Sequence, residues 1–508
     1  MSRLDGDSIS ILEPSVGDGV FIEAVNASPY VNNFDAIQLE VVERENEELN
    51  KARQKNNDDL INLVAMNQDY LSFHKENQNT YSLIIGNPPY VKSSLLTEEQ
   101  RALALEIHLE QNLSNKRINN IWTAFLVSAI SKLEDDGILA FVLPLELLQV
   151  KFTFEIREFL KQTFARLEIF MFDELQFQEC KGQDTVLLIA FKEHIEEGTF
   201  YTTVSTMDDL ENHRFVLQQN ITVSESDKKW THHFLSPEEH NFLNRLKTQL
   251  NLISHYVENK AGIVTAANDY FIVKDEVVTK NRLRSYSKPI VQKGVFVNGS
   301  VTFEKEDFNK LVEEEMPAYL LDFNKVNPKK ISKSLESYLA IGTDRELELR
   351  FKCRQREHWY QIPNISRQSE AFFFKRAHQY PKFLKNNAEV YVTDSAYMVE
   401  SREGFHIENI IFSFYNSLTL AFAELEGRYY GGGVLELTPN EFRALPIPYV
   451  TVNDFNLFKN DFKEKNTIEE ILAKYNGQIL IDTLNLSSEE TRDIELIRKK
   501  LVNKRQRK

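Results

Sequence analysis

The sequence predicts an α/β fold: a doubly wound, mostly parallel sheet of seven strands, then an α+β module, then a helical C-terminal segment. Three observations carry this. Over 1–195, short β-branched runs alternate with helical patterns, as in successive βαβ units. Over 196–450 that alternation stops, and short strand-like runs sit among polar loops. After 451, Ile468–Tyr475 and Ser488–Val502 read as helices. Domains are therefore expected at 1–195, 196–450 and 451–508.

Ile9–Leu12 opens as a strand, Phe21–Ala27 follows as a helix, and Ala36–Val42 is the second strand. Glu45–Lys55 is charged and helical, while Leu63–Met66 and Tyr81–Ile85 are strands. Thr97, followed three residues later by Gln100, forms a capping box that opens a helix. Trp122–Leu133 is helical, Asp136-Gly137 turns, and Ile138–Leu143 is a strand ended by Pro144. Val150–Phe164 is a helix, and Arg166–Phe172 and Thr185–Phe191 complete the sheet. Asn476-Gly477 is expected to stop the first terminal helix. The second runs into a basic end, Lys504–Lys508, that reads as a DNA arm or, more simply, a frayed tail.

A length of 508 residues fits two or three domains. At 42% hydrophobic and 27% charged, the chain can bury a core and is too apolar to be wholly disordered. It contains no apolar run of spanning length, and Met1–Asp5 lacks the pattern of a signal peptide. Cys180 and Cys353 are the only cysteines, which excludes a disulfide framework and a cysteine zinc site. A soluble, cytoplasmic home and no metal are expected. The formal net charge of −16 argues, on average, against a polyanionic partner.

Glu13-Pro14-Ser15-Val16-Gly17-Asp18-Gly19-Val20-Phe21 joins the first strand to the first helix. Two of only 17 glycines fall here, letting the backbone bend and approach a ligand at a helix N-terminus, although a structural turn explains them too. Glu43 closes the second strand, where such folds grip ribose hydroxyls; taken alone it reads as part of a solvated acidic face. Asp69 follows the third strand with Tyr70 beside it, a carboxylate and a ring that suit an adenine, one accepting from the amino group and one stacking. Asn87-Pro88-Pro89-Tyr90 follows the apolar strand Tyr81–Ile85, at the carboxyl end where open α/β sheets bind ligands. Its prolines fix φ and remove backbone donors. The Asn87 side-chain oxygen and the Pro88 carbonyl can each accept one N–H of an exocyclic amine, localising its lone pair, with Tyr90 stacked on the ring.

In this order and spacing, Glu13–Phe21, Glu43, Asp69-Tyr70 and Asn87–Tyr90 resemble the N6-adenine DNA methyltransferases of restriction-modification type. The resemblance continues through Trp122–Phe125, Gly137–Leu148, Phe177–Phe191, Gly262–Val273, Arg350–Tyr360, Tyr429–Leu435 and Leu445–Pro448. The span from Phe21 to Asn87 is too short for a DNA-reading domain, so the order is similar to the gamma class: cofactor loop, catalytic motif, then target recognition domain. The resemblance implies a methyltransferase sheet binding S-adenosylmethionine through Glu13, Pro14, Gly17, Gly19, Phe21, Glu43, Asp69 and Tyr70. It implies catalysis by Asn87, Pro88, Pro89 and Tyr90 on an adenine flipped out of duplex DNA, with Phe177 closing on its other face unless that ring is an ordinary core residue. Members of the family carry an upstream segment, motif X, against the methionine end of the cofactor; here it is expected to be missing. Besides duplex DNA, the implied partners are a chain supplying that segment and a separate restriction endonuclease, since no nuclease cluster is legible. A catalytically impaired, truncated relative acting as a DNA-binding specificity subunit is the alternative; a protein-glutamine or RNA methyltransferase is a third, disfavoured by the large C-terminal half.

Between Pro328 and Lys385, thirteen Lys and Arg face six Asp and Glu, a net +7 that leaves −23 elsewhere. Charge is thus separated, and repulsion from the acidic remainder is screened within about 8–10 Å. Arg350, Lys352, Arg354, Arg356, Lys375 and Arg376, interleaved with Trp359, Tyr360 and Phe372–Phe374, are the candidate DNA contacts, against the plainer reading of a solvated basic face. Gly431–Gly433 is expected to be a structural loop.

Overall fold

The computed structural model describes residues 7–57, 60–113, 118–172, 185–219, 229–297, 299–365, 367–430 and 432–506. By contact density the chain divides into two compact units, the first ending at His240 and the second running from Asn241 to Gln506.

The first unit is built on β1 (Ser8–Glu13), β2 (Ala36–Glu43), β3 (Ile61–Asn67), β4 (Tyr81–Gly86), β5 (Leu133–Pro144), β6 (Arg166–Phe172), β7 (Thr185–Phe191), β8 (Gly198–Val204) and β9 (Gln218–Gln219). Their order across the sheet is β3-β2-β1-β4-β5-β7-β6-β8-β9. β1 pairs in parallel with both β2 and β4, so the chain reverses its direction of travel across the sheet at β1/β4. That switch point opens a crevice at the carboxyl ends of the strands. β7 runs antiparallel between β5 and β6. All seven expected strands are present; β8 and β9 extend the edge, which is why this unit continues past 195.

Connecting helices cover the faces: α1 (Val20–Asn26), α2 (Asn46–Arg53), α3 (Tyr70–Glu76), α4 (Glu98–Glu110) and α5 (Trp122–Ser131). One core joins Ile11 on β1, Leu39 and Val41 on β2, Ile22 on α1 and Leu49 on α2, all fully buried. α5 is buried from Trp122 through Ile130, as expected for a helix apolar on every side. The capping box at Thr97 and Gln100 forms as expected. Asp136-Gly137 does not end an element. Tyr81 pairs with Leu133 and Leu83 with Ile138, so the intervening residues bulge out of a continuous β5. In place of the single helix expected over Val150–Phe164, a regular helix occupies only Phe154–Thr163.

The second unit carries several small sheets. The largest orders Val257–Ala261, Ala396–Ser401, Ala371–Phe374, Phe383–Asn386 and Thr302–Phe303; another orders Ile272–Val273, Tyr319–Leu321, Ser287–Val291 and Tyr391–Val392. Tyr270, Phe271, Phe323 and Tyr338 form an aromatic core beside the latter. Asn476-Gly477 does not stop the chain: a wide π-type turn continues the helix to Leu484, and Asn485 in the left-handed region ends it. Asn476 is buried because its side chain accepts from Ser417 N at 3.1 Å and donates to Ser417 Oγ at 2.8 Å. The basic end is no frayed tail up to Gln506. Arg505, fully buried, donates from Nε and Nη2 to the Glu424 carboxylate at 2.7 and 2.9 Å and from Nη1 to the His378 carbonyl at 2.7 Å.

Candidate functional site

The glycine loop needs glycine at both positions. Gly17 and Gly19 have φ of +55° and +91°, in the left-handed region where a side chain is strained. At Gly19 a Cβ would also lie 2.8 Å from Ala52 Cα on α2, so the loop is pressed against that helix. Ser15 Oγ donates to the Asn87 carbonyl at 3.2 Å, tying the segment after β1 to the segment after β4.

Four acidic or amide groups converge at the carboxyl ends of β1–β4. Glu13 ends β1 at 1% exposure, and among the described residues neither carboxylate oxygen has a hydrogen-bond partner. Burial first, then the nearby Glu43 and Asp18 charges, hold its pKa well above the usual carboxylate range. Glu43, ending β2, accepts from Gly17 N at 3.0 Å and Glu45 N at 2.9 Å, so it fastens the glycine loop while keeping unused lone pairs. Asp69 caps α3 by accepting from Leu71 N at 2.9 Å and takes a second bond from Gln100 Nε2 at 2.8 Å. Pro14, Ser15, Glu43, Asp69, Gln100 and Phe125 line a cleft of about 280 Å³. That is close to the lower end of small-molecule sites, about 300 Å³. Pro14 lies buried in its wall, and Phe21 is half-buried on α1.

Tyr70 is packed more tightly than the neighbouring cleft residues Gln68 and Asp69. Its ring is 3% exposed, stacked on Phe73 and tilted against Phe125, with the hydroxyl accepting from Ser128 Oγ. It nevertheless lines the same cleft, beside Asp69. Phe125 and Gln100, which the sequence analysis did not name as site residues, take places in the cleft wall. The capping-box spacing did mark Gln100.

After β4, Asn87, Pro89 and Tyr90 are half-buried and Pro88 is buried. The Tyr90 hydroxyl lies 2.9 Å from both Asn87 Oδ1 and the Val142 carbonyl, fixing the tyrosine against β5 and orienting the asparagine. Ile121 N donates to Val91 O at 2.9 Å, anchoring the exit of the motif. Phe177 lies outside the described residues, as does Gly431.

In the second unit the expected basic patch is sorted by burial. Phe372, Phe373 and Phe374 are buried in the largest sheet and present nothing to a base; Tyr360 is 7% exposed. Trp359 packs against the aromatic core, where a Cβ on Gly342 would strike its ring. Arg356, half-buried, donates to the Trp359 and Thr265 carbonyls, and burial lowers its pKa; it also lines the cleft that Lys352 borders. Arg350 bonds the Ala266 carbonyl at 3.1 Å, Arg376 pairs with Glu436, and Lys375 sits 5.6 Å over Tyr397. Lys352 and Arg354 remain exposed, without an ion pair among the described residues. Lys352 borders a cleft of about 1110 Å³ shared with Lys260, Gln355, Gln361 and Asn364. Lys260 lies outside the basic segment in sequence and was missed for that reason.

Comparison with known proteins agrees with this architecture. The family model described as the C-terminal domain of the type II methyltransferase M.Eco57I matches residues 227–480, half of the chain, and that of the Eco57I restriction-modification methylase matches 21–177. The chain belongs to this family. The Eco57I-type methyltransferase is 24% identical to the type II methyltransferase M.AccI of Acinetobacter calcoaceticus, over 92% of this chain and 84% of that protein. It is 30% identical to the modification methylase CviBIII of Paramecium bursaria Chlorella virus NC1A over 27% of this chain and 30% of that one. The fold is similar to that of the type IIL restriction-modification enzyme MmeI, solved in complex with DNA. The TM-score is 0.58 at 12% identity, covering 98% of this chain and 73% of that one. Among the described residues no helix is long and apolar enough to cross a membrane, and no His/Cys/Asp/Glu group could hold a metal.

Proposed function

We propose that this Eco57I-type DNA methyltransferase transfers a methyl group from S-adenosylmethionine to N6 of an adenine flipped out of duplex DNA. The observation that carries this reading is the convergence of Glu13, Glu43, Asp69 and Asn87–Tyr90 at the carboxyl ends of four adjacent strands. The cofactor supplies a methyl group on a sulfonium, which no residue of the chain can. The residues present fit it. An unpaired buried carboxylate is costly alone and matches an ammonium, so Glu13 would hold the amino-acid end. Glu43 has lone pairs for the ribose hydroxyls, and Asp69 for the adenine amine.

For the target base, Asn87 Oδ1 and the Pro88 carbonyl accept the two N–H groups of N6, turning its lone pair out of conjugation and toward the methyl carbon. Bound S-adenosylmethionine would supply the methyl group to that lone pair, the sulfur keeping the C–S electrons, and water would take the proton lost from N6. Tyr90, held by its hydroxyl, stacks on one face of the base. No covalent enzyme intermediate is needed, so orientation supplies most of the rate. The second unit is assigned to target recognition, with Lys260, Lys352 and Arg354 among its candidate DNA contacts. Cellular roles in restriction-modification and a cytoplasmic location follow from this reading.

The test is transfer of labelled methyl from S-adenosylmethionine to duplex DNA, followed by digestion to nucleosides. N6-methyladenine is expected with the wild type, and at least a 100-fold loss with Asn87→Ala while DNA binding stays within a few-fold. Label on cytosine or protein, or activity surviving Asn87→Ala, would overturn the chemistry. DNA binding without any transfer would instead mark a specificity subunit.

A further inference from the structure

We propose that Gln100 is a positioning residue for the adenine end of the cofactor, setting the Asp69 carboxylate so that it accepts an amine; this rests on the cofactor reading above. Gln100 is the third residue of α4. Its backbone N–H donates to Thr97 Oγ at 3.1 Å, and its side-chain Oε1 accepts from Thr97 N at 3.2 Å. The amide N–H is thereby aimed away from the helix, and it donates to Asp69 Oδ2 at 2.8 Å. The amide orientation is unambiguous, because a backbone N–H only donates and a carboxylate only accepts.

The residue type carries the argument. A capping box is satisfied as well by glutamate as by glutamine. The cap alone therefore does not select glutamine here. Asp69 does: only an amide gives it a donor, whereas glutamate would set two carboxylates at hydrogen-bond distance, of which one must take a proton. With Leu71 N on Oδ1 and Gln100 on Oδ2, each Asp69 oxygen has one of these donors and keeps a further lone pair, and Asp69 lines the cleft together with Gln100. Other charges around this pair are Glu43 and Arg44 in the cleft wall and Glu98 and Glu99 in the first turn of α4. Arg101 is engaged by the Ser93 and Leu96 carbonyls.

The experiment titrates S-adenosylhomocysteine by calorimetry into the full chain, wild type, Gln100→Glu and Gln100→Leu, at pH 8.5 and pH 5.5. Gln100→Glu keeps the cap, so it folds, with a melting temperature near wild type at pH 5.5, where the carboxylate pair shares a proton. Its affinity is expected to fall roughly 10- to 100-fold at pH 8.5 and to recover in part at pH 5.5, where a shared proton restores the bond. Gln100→Leu loses affinity by the same factor at both values. Wild-type affinity of Gln100→Glu at pH 8.5, or an equal loss at both pH values, overturns the inference. Failure of the wild type to bind overturns the cofactor reading, and this inference with it.

Discussion

Glu13 ends β1 with a carboxylate that is 1% exposed and has no hydrogen-bond partner among the described residues, a cost that the proposed ammonium contact would offset. Glu13→Gln keeps the shape and removes the charge. Because burial and the Glu43 and Asp18 charges raise the folded-state pKa, the folded chain binds more protons than the unfolded one. Stability therefore falls as pH rises from the unfolded value, about 4.3, toward the raised folded value. The variant lacks this slope. The amide still buries two polar atoms, so only the charge penalty is relieved, about 1–3 kcal/mol at pH 8. For a unit of this size that raises the melting temperature by roughly 2–12 °C, with the gap closing as pH approaches 4. Cofactor affinity moves the other way, by roughly 10- to 100-fold, the worth of a charge-assisted bond. Scanning fluorimetry across pH 4.5–8.5 and calorimetric titration of S-adenosylmethionine read both effects. Equal melting at every pH, or undiminished affinity, would refute the assignment of Glu13 to the ammonium group.

Gly19→Ala is expected to destabilise the first unit by about 1–3 kcal/mol, because φ is +91° and the new methyl meets Ala52 Cα at 2.8 Å; urea denaturation measures it. Arg505→Ala leaves the Glu424 carboxylate buried without its partner. A loss of about 3–5 kcal/mol is expected, partly recovered by adding Glu424→Ala. A change below about 1 kcal/mol, the worth of an exposed pair, would mean the C-terminal helix end is not docked.

Strands β1–β7 and the glycine loop were legible in the sequence because local patterns specify them. Buried parallel strands need continuous β-branched runs, and a left-handed turn needs glycine. The convergence of Glu13, Glu43, Asp69 and Asn87 was legible by the same logic, since parallel strands all end on one edge. What a side chain does after arriving was not. Asp69 and Gln100 meet only because α4 packs beside α3, and no spacing in the chain encodes that. Tyr70 packs against Phe73 and Phe125, the latter from a helix distant in sequence. The basic run around Arg350–Arg376 looked uniform as text, yet packing tied Arg356 to two backbone carbonyls, paired Arg376 with Glu436 and left Lys352 without an ion pair among the described residues. Sequence determines which groups exist and which edge of a strand they reach. Packing between elements far apart in the chain decides which groups are already paired, and so which remain for a ligand.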